Sequence, residues 1–244
     1  MESYIFITGA AGGIGKALLR EYASQGFSII AQDYQKSLDF DCFIGELRKE
    51  FNADIIDIYF DITNETIAKN EISKLFAQKI KVKSLINCAG IAHGGLFQMT
   101  PISVIKHVFD INLFGQMIVT QNVLKMMRGV QDCSIVNFCS ITGYDLNPGN
   151  SGYGVSKSAM IAWTKMLSKE LASQGIRVNG VAPGLTDTNM AKLMEYKAGK
   201  EMIGSSLMNR LGKPEEIASV VSFLTSDKAS FINGQIIRID GGQR

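Results

Sequence analysis

The stretch TGAAGGIGKAL, residues 8–18, follows the apolar run YIFIT (4–8) and opens a segment with helical periodicity. A glycine-rich turn between a strand and a helix brings bare backbone N–H groups up to phosphate. Two phosphate loops share this look, and spacing separates them. The ATP-type loop needs a glycine five residues before its Gly-Lys pair and a hydroxyl residue after it. Here those places hold Ala10 and Ala17, so ATP is excluded. The spacing of Gly9, Gly13 and Gly15 suits a dinucleotide pyrophosphate instead. Gly9 turns the chain sharply, Gly13 lets backbone approach the ligand, and Gly15 lets the helix pack closely on the strand.

Outward from this loop, short β-rich runs alternate with helical patterns to the end of the chain. YIFIT, SIIAQ (28–32), DIIDIYF (54–60), SLINC (84–88), SIVNFC (134–139), RVNGVA (177–182) and QIIRI (235–239) read as seven strands. Several are apolar on both alternating faces, as in a sheet covered on both sides. Segments such as 14–25 and 66–78 carry the 3.6-residue period of helices. The alternation predicts an α/β fold, a doubly wound seven-stranded parallel sheet with helices on both faces. One domain over 1–244 is expected, with a substrate flap at about 185–211, where a long polar stretch breaks the rhythm.

Composition narrows the function classes. Hydrophobic residues make up 46% of 244, there are only 4 prolines, and the net charge is +2. A large core is expected, whereas a dedicated nucleic-acid or membrane-surface binder is not. We see no uninterrupted apolar run of bilayer length and no leader pattern, so a cytoplasmic protein is expected. Cys42, Cys88, Cys133 and Cys139 lack CxxC spacing and read as buried free thiols. With two histidines, His93 and His107, no metal site is expected.

Asp33 ends the second strand, 18 residues past Gly15. An acid there hydrogen-bonds the adenosine ribose hydroxyls and repels a 2′-phosphate, which favours NAD over NADP. Lys36 is near enough in sequence to rescue a phosphate, so NADP stays open. Further along, SGYGVSKSAM (151–160) places Tyr153 and Lys157 one helical turn apart. A nearby ammonium favours phenolate, tuning the phenol to exchange a proton with a carbonyl oxygen as hydride moves at carbon. Ser140 lies at the C-terminal end of the fifth strand, where open α/β sheets bind ligands. Asn112, within DINLFG, can bend a helix around a carbonyl-bound water.

These motifs together resemble the short-chain dehydrogenase/reductase family along nearly the whole chain. TGAAGGIG matches its TGxxxGxG cofactor loop, NCAG (87–90) stands at its NNAG, and Ser140 precedes YGVSK by its spacing of 13. FDIT (60–63), DIN (110–112) and APG (182–184) with LTDTNM complete the set. The resemblance implies a Rossmann fold and hydride transfer between a nicotinamide and a carbonyl or secondary alcohol. It implies Tyr153 as general acid or base, Lys157 lowering its pKa and holding the nicotinamide ribose, Ser140 on the substrate oxygen, and Asn112 holding a relay water. Cofactor contacts are implied at Gly9, Gly13, Ile14, Gly15, Asp33, Asp61, Ile62, Asn87, Gly90, Pro183, Gly184, Thr186 and Thr188. Cys88 departs from the family pattern at the second Asn of NNAG.

The endings RLGKPEEIASVVSFLTSD and NGQIIRIDGG most resemble 3-oxoacyl-carrier-protein reductases, a style shared with sugar, polyol and hydroxysteroid dehydrogenases. Against the carrier substrate stand Asp33, since such reductases usually take NADPH, and Gln174, where a base would aid docking; Arg128 remains a docking candidate. Lys192, Lys197 and Lys200 suit either an acidic substrate or a solvated face. Met190, Met194, Met202 and Met208 suit either an adaptable pocket or packing of the flap. The rival of another class is a cofactor-binding regulator without catalysis, which typically lacks the tyrosine or lysine present here. The resemblance also implies a homotetramer, through the 101–127 and 151–174 helices and the C-terminal strand.

Overall fold

The computed structural model describes residues 3–188 and 206–243. Seven strands form one sheet: β1 (Ser3–Thr8), β2 (Ile29–Asp33), β3 (Ile55–Tyr59), β4 (Lys81–Asn87), β5 (Cys133–Phe138), β6 (Ile176–Pro183) and β7 (Ile236–Ile239). Their order is β3-β2-β1-β4-β5-β6-β7, and every neighbouring pair is parallel. Parallel neighbours need crossovers, supplied by α1 (Gly13–Ser24), α2 (Leu38–Phe51), α3 (Glu65–Ala77), α4 (Ile102–Phe109), α5 (Gln116–Met127), α6 (Thr142–Asp145), α7 (Ser151–Leu171) and α8 (Pro214–Thr225).

Side chains alternate across each strand, so consecutive residues enter opposite cores. Ile5 and Ile7 of β1 pack with Leu18, Tyr22, Ile44 and Val221 from α1, α2 and α8. Phe6, between them, points the other way, to Ile72, Val123 and Leu167 from α3, α5 and α7. This explains why the strands read as continuous apolar runs. Local signals start the helices: Ser37 and Asn64 accept the Phe40 and Ile67 N–H groups at the first turns of α2 and α3. Pro214 opens α8, and Glu216 accepts the Lys213 N–H at 2.7 Å.

All seven expected strands form. The fourth begins earlier, at Lys81 instead of 84, because Ser3 and Tyr4 pair with Lys81 and Val82. Two lysines had interrupted the apolar pattern there. Cys42 is exposed on α2, against the expectation of four buried thiols, because the helix turns that position away from the core; Cys88 is half-buried, and Cys133 and Cys139 are buried. Helix Ile102–Met127 is long and apolar enough, by length and composition, to cross a membrane, which no single apolar run in the sequence indicated. It nonetheless lies on the sheet, its Gln116 and Thr120 side chains bonded to groups at the ends of β1 and β4. Of the expected flap, the two ends are joined, Asp187 N–H donating to Gly212 O and Gly212 N–H to Leu185 O, both at 2.9 Å. Met190, Lys192, Met194, Lys197, Lys200 and Met202 lie outside the described residues.

Candidate active site

After β1 the chain winds toward β2, and after β4 it winds the opposite way. The loops leaving these two adjacent strands therefore part, and a crevice opens at the strand ends. A cleft of about 890 Å³ lies there. Its lining includes Gly9, Gly13, Ile14, Gly15, Asp33, Asp61, Ile62, Gly90, Ser140, Tyr153, Lys157, Pro183, Gly184, Thr186 and Thr188, all expected from the sequence.

The glycine loop is shaped by what a side chain would strike. Gly9 has φ +65°, and a Cβ there would come 2.6 Å from Ala89 Cα. On Gly13 a Cβ would meet Thr188 Cγ2 at 2.9 Å, and on Gly15 it would meet Gly9 O at 2.3 Å. The loop thus lies flat against the Ala89 turn and the segment after β6, leaving a cradle that a pyrophosphate can fill and side chains cannot. Thr8 fixes the opposite wall. Its hydroxyl accepts the Cys88 and Ala89 N–H groups at 3.0 and 3.1 Å and donates to Gln116 Oε1 at 3.2 Å. Gln116 Nε2 returns to Ala89 O at 2.6 Å.

At the far end, both carboxylate oxygens of Asp33 are held by backbone, Oδ2 by Ala11 N–H at 2.8 Å and Oδ1 by Tyr34 N–H at 2.7 Å. The carboxylate is therefore fixed in direction, with lone pairs left for ligand hydroxyls. Lys36 pairs with Asp41 at 3.3 Å, and Lys16 pairs with Asp39. Among the described residues, the cleft lining contains no arginine, and its one lysine is Lys157.

Tyr153 and Lys157 lie on the first turns of α7, which packs against α6 so tightly that a Cβ on Gly143 would sit 2.8 Å from the Lys157 carbonyl carbon. Lys157 is 4% exposed, and its Nζ donates to Phe138 O at 2.7 Å while lying 5.9 Å from the Tyr153 ring centre. A Cβ on Gly90 would come 3.5 Å from that Nζ, so glycine keeps the space around the ammonium clear. Burial raises the Tyr153 phenol above its ordinary pKa, opposed by a hydrogen bond with the Ser140 side chain. Burial likewise holds the Lys157 ammonium below its ordinary value. Burial is the largest influence on the proton affinity of both groups. Burial also pushes the thiols of Cys88 and Cys139 to about 12 and about 11, leaving both neutral.

Two expected site residues lie behind the cleft wall. Asn87 is 1% exposed, and its Nδ2 donates to Thr120 Oγ1 and Asn137 Oδ1. It clamps β4 to β5 and α5 and does not line the cleft. Asn112 is fully buried in a wide π-type turn at Asp110–Gly115, the bend expected there. Its side chain accepts from Ile91 N–H at 2.8 Å and donates to Ile91 O and Ser156 Oγ, so these atoms brace the loop after β4.

Sequence reasoning missed Ile91, Ile111, Asp145, Asn147, Asn150 and Gln243, which also line the cleft. The turn NPGN before Tyr153 was a usable signal for Asn147 and Asn150; Gln243 carried none. Arg128 and Gln174 sit just before β5 and β6 begin, at the edge of the sheet opposite the cleft. Within one chain, neither stands at the mouth.

The family model described as enoyl-(acyl carrier protein) reductase matches residues 9–244. The 3-oxoacyl-(acyl-carrier-protein) reductase FabG of Thermotoga maritima is 38% identical over 237 residues, covering 97% of this chain and 95% of that protein. A short-chain dehydrogenase/reductase described as glucose/ribitol dehydrogenase, from Brucella melitensis, superposes with TM-score 0.89 at 31% identity, over 99% of this chain and 98% of that one. NAD+-bound xylitol dehydrogenase superposes with TM-score 0.92 at 29% identity, over 98% of each chain.

Proposed function

The chain belongs to the short-chain dehydrogenase/reductase family, and from that premise we propose that it interconverts a carbonyl and a secondary alcohol with NAD(H). The observation that carries the NAD reading is Asp33. Its carboxylate is locked by two backbone N–H groups, and the nearby Lys36 and Lys16 are drawn to Asp41 and Asp39. A ribose diol offers donors to such a carboxylate; a 2′-phosphate would meet negative charge without a free cation among the described lining residues.

A bound NAD(H) supplies or accepts the hydride. The glycine loop and the N-terminus of α1 would hold its pyrophosphate, Asp33 its adenosine ribose, and Lys157 its nicotinamide ribose. Pro183, Gly184, Thr186 and Thr188 would flank the nicotinamide end. Ser140 and Tyr153 would both hydrogen-bond the substrate oxygen, Tyr153 giving its proton in reduction and taking one in oxidation. With its pKa raised, Tyr153 is protonated at neutral pH and ready for reduction. Oxidation needs the phenolate and therefore speeds up with rising pH. In this role Asn112 shapes the loop after β4 through Ile91, and its bent turn is where a relay water would be held.

Reduction of a 3-oxoacyl thioester, the reaction in the name of the Thermotoga maritima relative, is the reference reaction for this site. The rival reading, a regulator without turnover, is disfavoured by the joint presence of Ser140, Tyr153 and Lys157 in one cleft. We assign the protein to the cytosol, where four free cysteines stay reduced. Further copies of the chain would cover Ile102, Phe114, Val155 and Met166, which are exposed on the α4–α5 and α7 helices, and the edge strand β7, giving a homotetramer. The deciding experiment compares NADH and NADPH oxidation with acetoacetyl-coenzyme A and simple ketones. Faster turnover with NADH supports the reading, and a preference for NADPH overturns it.

A further inference from the structure

Helix α5 and the wide turn before it carry three polar side chains along one face. Asn112, Gln116 and Thr120 are spaced by four and meet the chain leaving β4 at every second residue. Asn112 bonds the N–H and the C=O of Ile91, Gln116 Nε2 donates to Ala89 O at 2.6 Å, and Thr120 Oγ1 accepts from Asn87 Nδ2 at 2.9 Å. The match is geometric, since four helical residues rise about 6 Å and two extended residues span about 6.6 Å. Gly115 lets the start of α5 press against the cleft wall, because a Cβ there would sit 2.8 Å from Ile62 Cγ1.

Of the three, Gln116 stands directly behind the glycine loop. Its Oε1 accepts from the Thr8 hydroxyl at 3.2 Å, and that hydroxyl accepts the Cys88 and Ala89 N–H groups. Gln116 and Thr8 are both fully buried. The amide has one workable orientation, because reversing it would set two oxygens face to face at Ala89. Both backbone polar groups of Ala89 therefore depend on this pair. Without the amide, Ala89 O would face hydrocarbon, and the next peptide would turn to find a donor, with no Cβ on Gly90 to resist. Two parts of the cleft would register that turn. A Cβ on Gly9 would come 2.6 Å from Ala89 Cα, and one on Gly90 would come 3.5 Å from Lys157 Nζ.

We propose that Gln116 is a positioning residue for the dinucleotide: through Ala89 O and Thr8 it holds the turn at 88–91 against the glycine loop and sets how tightly NADH is bound. This rests on the cofactor reading of the same cleft. Gln116 does not line the cleft. It exchanges no proton with the substrate, so its loss acts on cofactor affinity and leaves the chemical step in place.

The test is fluorescence titration of NADH on the wild type, Gln116→Leu, Gln116→Glu and Thr120→Val. Thr120→Val is the structural control: it lies one turn along the same helix, is equally buried, and loses a bond to Asn87, which does not line the cleft. Gln116→Leu is expected to weaken NADH binding about tenfold, the size of one stranded carbonyl. Its kcat at saturating NADH should stay within about twofold of wild type, since uniform binding is what is lost. Thr120→Val should lower Tm and leave NADH affinity within about twofold of wild type. Gln116→Glu should match the wild type near about pH 6, where burial keeps the acid protonated and its O–H donates to Ala89 O. Relative to wild type, its affinity should fall as pH rises to about 9 and a carboxylate comes to face that carbonyl. If Gln116→Leu fails to fold, the pH profile of Gln116→Glu decides alone. Unchanged affinity in Gln116→Leu, a pH-independent ratio for Gln116→Glu, or an equal loss in Thr120→Val overturns the proposal. A wild type that binds NADPH and not NADH overturns the NAD reading alone, and the same titrations with NADPH then decide the role of Gln116. A wild type that binds neither overturns both.

Discussion

The two ends of the cleft are built from different material. The end proposed for the adenosine is backbone: the glycine turn between β1 and α1, the Ala11 and Tyr34 N–H groups, and the single carboxylate they orient. Most of it comes from one continuous stretch, residues 8–34, with Asp61 and Ile62 added after β3. The end proposed for the substrate is side chain: Ser140 after β5, Asp145 from α6, Asn150 and Tyr153 around the start of α7, and Gln243 from the tail. A site made of backbone is written in the order and spacing of glycines. A site made of converging side chains exists only after the sheet has set its strands side by side.

This contrast predicts different failures at the two ends. The largest effect is expected from Tyr153→Phe, which removes the proton donor and leaves the cradle intact. Turnover should fall by about a thousandfold, with NADH affinity, read by fluorescence titration, unchanged; near-normal turnover would remove Tyr153 from the chemistry. Wild-type oxidation should climb through the alkaline range, since phenolate grows as pH approaches the raised Tyr153 pKa, and that climb should vanish in Tyr153→Phe.

At the other end, Asp33→Ala should lower the NADH-to-NADPH ratio of kcat/KM by roughly ten- to a hundredfold, the size of one lost charge-assisted hydrogen bond. If the ratio holds, the selector lies elsewhere. Gly15→Ala acts on the cradle itself, since the added Cβ would sit 2.3 Å from Gly9 O. Overpacking of that kind costs about 1–3 kcal/mol, measurable in urea unfolding, and should weaken NADH binding as well. The smallest effect belongs to a control remote from both ends. Hydrogen bonds from Arg210 and the Lys213 N–H hold the Glu216 carboxyl down to about 2. Its stabilisation is therefore full above the ordinary carboxylate range and disappears as pH falls through about 2. Glu216→Gln should lower Tm slightly at pH 7, and the difference should close in acid.

Residue order alone determined the alternation of strands and helices, from which the parallel sheet follows, the glycine turn with Asp33 at the next strand end, and the Tyr153–Lys157 spacing. Periodicity and the spacing of a few residue types record these, because each element and each turn forms locally. Only the tertiary structure decided that Asn87 is a buried clamp between β4, β5 and α5, because its partners Thr120 and Asn137 are distant in sequence. Only it showed the Asn112 side chain bracing Ile91, Lys36 drawn to Asp41, and Arg128 at the far edge of the sheet. The balance at the Tyr153–Lys157 pair was decided there too. Spacing put an ammonium one turn from the phenol, but burial, which depends on α6, β5 and the loop after β4 closing around them, governs the proton affinity of both. Solvent exclusion is a property of the whole fold, and no local pattern encodes it.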